Sequence, residues 1–203
     1  MKKINNIRKS NKIAKQFNHL PSPIPHPPSS AKRISNNILL IGMPGSGKTT
    51  IGKSLAGKLN MSFVDVDEFI LKQTGKDSAE HLQELGDEAF LDFEEGIAKK
   101  IKVNNTVIAT SGSVPLRKDG IEHLKKNAVS IWLDVASETL EKRVKNREDG
   151  DSRIVGAQSK TLEDIFEWRK KAYQKNHSVR IKITDESLEE IVEKILRGLE
   201  NLT

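Results

Sequence analysis

Gly42-Met43-Pro44-Gly45-Ser46-Gly47-Lys48-Thr49 is a complete G-x-x-x-x-G-K-[ST] phosphate-binding loop. The apolar run Ile38-Leu39-Leu40-Ile41 precedes it and a helix-forming stretch follows from Thr50. A chance glycine-rich turn would lack that flanking pair. Glycines let the backbone curl until several N–H groups face one phosphate cluster, and the next helix adds the positive end of its dipole. Lys48 can reach the outer phosphates and the Thr49 hydroxyl can ligate Mg²⁺. The chain is therefore expected to bind a nucleoside triphosphate through residues Gly42 to Thr50.

Outward from the loop, short β-branched runs alternate with helical periodicity. The pattern predicts strands over 37–41, 62–66, 106–110, 129–133 and 179–183. It predicts helices over 49–59, 67–74, 78–85, 87–101, 116–126, 137–146, 162–175 and 188–199, the last opened by a Ser187/Glu190 capping box. This is the signature of an α/β fold, a parallel sheet covered by helices. One polar stretch with two glycines, 148–158, breaks the rhythm between two helices. It reads either as an ordinary surface loop or as a mobile lid (about 147–160) whose Arg153 would close over the triphosphate.

Ligands of parallel sheets collect at the carboxyl ends of the strands. The second strand ends in Asp65-Val66-Asp67, where alternation is expected to point both carboxylates to one side. Beside a Mg-triphosphate, one can hold the metal through its water shell and the other can orient or deprotonate an attacking hydroxyl. Asp67 also reads as a helix N-cap. The third strand ends in Thr110-Ser111-Gly112-Ser113, small enough for a ligand to approach backbone N–H groups, or a simple turn.

Composition bounds the rest. The chain of 203 residues has no cysteine, which excludes disulfides and thiolate metal sites. It has no apolar run near the ~20 residues of a membrane span. Eight positive charges and no acid lie in residues 1–36, so 37–203 is acidic by two against a whole-chain net of +6. The body therefore offers no basic stripe for nucleic acid. Five of the seven prolines fall between Pro21 and Pro28. Residues 1–36 are thus expected to be a disordered, basic, Pro-rich extension, with a targeting presequence or an anionic-surface tether as alternatives. The expected compartment is the cytoplasm, with organelle import as the other option, and the expected state is a monomer acting on a small molecule.

Loop, Asp-x-Asp, small-residue turn and Arg-bearing lid, in this order, resemble the shikimate kinase family over residues 37 to about 200. Thr74-Gly75-Lys76, the segment Gly86-Asp87-Glu88-Ala89-Phe90 with Glu94-Glu95, and Glu167-Trp168-Arg169 through Tyr173 are similar to further family segments. The resemblance implies a three-layer P-loop kinase fold, with a five-stranded sheet in the order 2-3-1-4-5, that transfers the ATP γ-phosphoryl group to a ring hydroxyl of shikimate. It implies Asp67 as substrate ligand and base, Asp65 near Mg²⁺ with Thr49, and Lys48 and Arg153 on the phosphates. It further implies Ser111, Gly112 and Ser113 at the substrate, Arg169 on its carboxylate, and Arg147 against the adenine. The chain departs from the pattern at Leu91, where the family has a second carboxylate-binding arginine, and Arg117 or Lys118 could compensate. A kinase of another polyol or hydroxy acid such as gluconate, or a nucleotide-binding module without turnover, remain the alternatives.

Overall fold

Asn37–Ile41 forms β1, and every one of its residues is buried. A strand so placed must have neighbours on both edges and helices on both faces, which is why its sequence is apolar throughout rather than alternating. In the computed structural model, which describes residues 37–145, 154–157 and 160–202, β1 is the middle strand of five. The sheet order is β2-β3-β1-β4-β5 and every pairing is parallel. The remaining strands are β2 (Ser62–Asp65), β3 (Thr106–Ala109), β4 (Ala128–Val135) and β5 (Val179–Ile183).

Eight α-helices are found among the described residues: α1 (Lys48–Leu59), α2 (Val66–Thr74), α3 (Ser78–Leu85), α4 (Asp87–Ala98), α5 (Lys118–Lys125), α6 (Ser137–Lys145), α7 (Leu162–Asn176) and α8 (Leu188–Glu200). The predicted order and count of elements hold. The Ser187/Glu190 capping box opens α8 as expected. Differences lie at the ends. The second strand stops at Asp65 because Asp65 itself caps α2, its side chain accepting from the Asp67 and Glu68 amides. The expected N-cap role of Asp67 is thus filled by Asp65. Asp67 sits in the first helical turn, so strand alternation does not set its direction. The helix expected over 116–126 is a 3₁₀ turn at Val114–Leu116, carrying Pro115, followed by α5 after an extended Arg117.

Because β2, β3 and β1 are parallel neighbours, the loop after β1, Asp65 at the end of β2 and the turn after β3 lie side by side at the carboxyl end of the sheet. No helix among the described residues is long and apolar enough to cross a membrane. The extension 1–36, and most of the expected lid with Arg147 and Arg153, lie outside the described residues.

Candidate active site

The phosphate loop has the backbone its sequence requires. Gly47, the residue before α1, has φ of 90°, a left-handed conformation that glycine adopts without strain. Met43 and Ser46 are buried, Pro44 and Gly45 half-buried, and Gly42 is packed at the end of β1. Lys48 is 8% exposed, and its ammonium donates to the Gly42 and Met43 carbonyls, each at 2.9 Å. It therefore arches over the loop where phosphate oxygens would compete for the same donors. Thr50 is exposed and lines the cleft. Arg143 on α6 donates to the Gly45 carbonyl at 3.1 Å, a contact the sequence reading did not single out. The available signal was its spacing, one turn beyond the buried Leu140.

The Thr49 hydroxyl donates to Asp65 Oδ2 at 2.6 Å. Two hard oxygen donors thus stand side by side at the mouth of the loop. No group of three or more metal-binding side chains exists among the described residues. A pair of this kind suits Mg²⁺, which keeps most of its shell as water and phosphate oxygen rather than entering a protein cage. Asp67 faces the same cleft, and its Oδ1 accepts a 2.7 Å hydrogen bond from Ser78 on α3.

The opposite wall is built from α4, α7 and the turn after β3. Arg169 is 1% exposed and donates through Nη2 to the Val155 carbonyl at 3.0 Å. Gly112 permits this packing. A Cβ there would stand 2.7 Å from Pro44 Cδ and 2.8 Å from Arg169 Nη1. The Tyr173 hydroxyl donates to the Gly112 carbonyl at 2.8 Å and pins the turn. Ser111 and Ser113 point their hydroxyls at Glu94 Oε1, Ser113 from 3.0 Å. Neither serine side chain is therefore turned toward a ligand as its first role; they hold Glu94. Glu94 Oε2 and Arg169 Nε are buried with no hydrogen-bond partner, and both residues line the cleft.

Burial pushes the Glu94 carboxyl up to about 7, with the Asp67 charge adding to the rise and Ser111, Ser113 and Arg169 opposing it. The folded protein therefore holds this proton where the unfolded chain has released it. Stability should fall as pH rises from about 4.5 to about 7, and level off above. A shift of that size corresponds to about 3 kcal/mol. Glu94→Gln should remove most of this slope in urea unfolding followed across that range; equal slopes in both proteins would show that Glu94 is already ionised in the fold.

Leu91 does not line the cleft. It is 1% exposed and packs with Leu82, Phe90 and Val155 in a small apolar cluster. The expected compensation is not there. Arg117 turns outward to Glu88 (2.7 Å) and Asp92 (3.0 Å), and Lys118 is exposed away from the cleft. The extended backbone at Arg117 directs its side chain along the outside of α4. Lys48 and Arg169 are the cations lining the cleft among the described residues. The sequence reading assigned no role to Glu94 or Ser78, although Glu94 stood inside a recognised segment.

The sequence model of the family described as "Shikimate kinase" matches residues 44–200. A shikimate kinase of Persephonella marina is 35% identical over 161 residues, which cover 79% of this chain and 96% of that protein. Threonine synthase-like 1 of Macaca fascicularis is 37% identical over 166 residues, 80% of this chain; the aligned stretch spans only 22% of that longer protein. Among solved structures, shikimate kinase from Acinetobacter baumannii in complex with shikimate superposes with a TM-score of 0.72 at 23% identity. It covers 84% of this chain and 96% of its own, a likeness of fold.

Proposed function

Because this chain belongs to the shikimate kinase family, we propose that it transfers the γ-phosphoryl group of Mg-ATP to a hydroxyl of shikimate. The observation that carries the acceptor reading is the pair of buried, unpartnered atoms, Arg169 Nε and Glu94 Oε2, across the cleft from the phosphate loop. A hydroxylated carboxylic acid presents an oxygen anion to the first and, to the second, a hydroxyl that can accept from the protonated carboxyl or donate to the ionised one. Buried polar groups of this kind cost stability until a partner arrives, so they favour such a ligand over an apolar one.

In this reading the acceptor hydroxyl oxygen bonds to the γ-phosphorus while the bond from that phosphorus to the ADP oxygen breaks. The hydroxyl proton passes to Asp67. Lys48 and the loop amides hold the phosphates in line, and Thr49 and Asp65 would hold Mg²⁺, which neutralises phosphate charge. Roles for Arg153 on the phosphates and Arg147 against the adenine, both outside the described residues, belong to the same proposal. A monomer acting on a small molecule is part of the same proposal.

The test is ADP release by the purified protein with Mg-ATP, with and without millimolar shikimate. Strong stimulation supports the acceptor; none, in protein that binds ATP, removes it. One observation favours a second reading. With Leu91 sealed in an apolar cluster and Arg117 turned outward, a carboxylate would meet one guanidinium instead of two among the described residues. A polyol or hydroxy acid such as gluconate therefore belongs in the same assay. Leu91→Arg separates the two readings. It is expected to lower KM for shikimate several-fold while lowering Tm, because it places a charge among Leu82, Phe90 and Val155. An unchanged KM would favour the other acceptor.

A further inference from the structure

The two unsatisfied polar atoms of the cleft belong to side chains of opposite charge. Glu94 and Arg169 are each 1% exposed, and both line the cleft. Ser111 and Ser113 donate to Glu94 Oε1, which leaves Oε2 as the unsatisfied oxygen of that carboxyl group. Arg169 donates through Nη2 to the Val155 carbonyl and leaves Nε unsatisfied. Both side chains abut one short turn. Glu94 is bonded to the residues on either side of Gly112, and a Cβ on Gly112 would stand 2.8 Å from Arg169 Nη1. A carboxyl group and a guanidinium are thus held at the same turn without closing on each other.

A plain carboxylate matches only half of this pair. It satisfies Arg169, but it sets another anion near Glu94 and Asp67 unless Glu94 keeps its proton. Among the described residues no second guanidinium lines the cleft to offset it. A zwitterion avoids the conflict. Its carboxylate meets Arg169, its ammonium meets Glu94 Oε2, and it brings no net charge into a buried wall. Carboxylate and ammonium on one carbon make the α-amino acid group. The hydroxyl must then reach Asp67, across the same cleft. Shikimate carries ring hydroxyls on the carbons γ to its carboxyl group. A γ-hydroxy amino acid places its hydroxyl through the same number of bonds.

We propose that the cleft also takes a γ-hydroxy-α-amino acid as phosphoryl acceptor, with Glu94 as the ligand of its ammonium group. This rests on the reading of the cleft as a Mg-ATP-dependent kinase site and adds an acceptor class to it. The acceptor hydroxyl oxygen bonds to the γ-phosphorus and the bond from that phosphorus to the ADP oxygen breaks. The hydroxyl proton passes to Asp67, and the products are an O-phosphoamino acid and ADP. The ammonium pairs with ionised Glu94. Burial and the Asp67 charge on α2 push that carboxyl up to about 7, against Ser111, Ser113 and Arg169. Tyr173 on α7 also faces it and stays neutral, its hydroxyl pushed up to about 12 by burial.

The test is ADP release by the full chain with Mg-ATP, run above the titration of Glu94, with L-homoserine, γ-hydroxybutyrate or shikimate as the probe. γ-Hydroxybutyrate is L-homoserine without its ammonium group. L-Homoserine is expected to be phosphorylated with kcat/KM about 30-fold or more above that of γ-hydroxybutyrate, the lower end of what a buried charge pair contributes when one partner is removed. Equal values for the two, or no turnover of L-homoserine, would overturn the proposal. Glu94→Gln should raise KM for L-homoserine by a similar factor and KM for shikimate only a few-fold, because an amide still bonds a hydroxyl but carries no charge for an ammonium. Equal rises would show that Glu94 does not single out the ammonium, which also overturns it. The two acceptor readings fail separately. Turnover of shikimate without L-homoserine overturns this proposal and leaves shikimate standing. Turnover of L-homoserine alone supports it and removes shikimate. No turnover of either, in protein that binds ATP, removes both.

Discussion

Asp67→Asn is expected to lower kcat by about 10²-fold or more while leaving ATP affinity unchanged. The amide keeps the size of the carboxylate and can still accept from Ser78, so the hydrogen bond at 2.7 Å has a counterpart in the variant. It cannot take a proton from an attacking hydroxyl. The phosphate loop is untouched, because Asp67 makes its backbone contact to Asp65 through the amide nitrogen, which is unaltered. The loss should therefore appear in the chemical step. Stopped-flow or steady-state kinetics with saturating acceptor, beside a nucleotide titration, separate the two. An unchanged kcat would remove Asp67 from the proton-accepting role and leave it a ligand at most.

Arg169→Lys should act at the other end of the cleft, on the acceptor's affinity. Lysine keeps the positive charge but not the planar fork that can hold Val155 with one nitrogen and a ligand with another. Breaking a buried carboxylate–guanidinium pair costs about 2–5 kcal/mol, which is a ~30- to several-thousand-fold rise in acceptor KM. KM for ATP should move little. With one guanidinium lining this wall among the described residues, the effect should sit toward the large end of the range. If acceptor KM is unchanged, the carboxylate is held elsewhere or the acceptor lacks one. Tm guards the interpretation, because Arg169 is fully buried and also supports the segment around Val155.

Much of the site was legible because its parts are local. A phosphate loop is eight consecutive residues, and the strand before it and helix after it can be read from periodicity alone. The acids after β2 were equally visible, yet their division of labour was not. Whether Asp65 or Asp67 caps α2 depends on where the strand stops, a matter of one residue. What escaped was everything settled by packing between distant segments. Ser78 meets Asp67 only because α3 turns back across α2, and Glu94 meets Ser111 and Ser113 across 17 and 19 residues of chain. Arg117 illustrates the reverse error. Its charge made it a plausible replacement for the missing arginine, but Glu88 and Asp92 on α4 hold it outside. A serine on the buried Ser78/His81/Leu82 face was the clue that could have been read, since a buried hydroxyl needs a partner.

The most direct test of the central claim follows the phosphorus itself. Phosphorus NMR of the purified protein with Mg-ATP and shikimate should show the γ-phosphate signal replaced by a phosphomonoester, equimolar with ADP and absent without shikimate. Release of inorganic phosphate instead, or no loss of ATP in protein that binds it, would contradict the account.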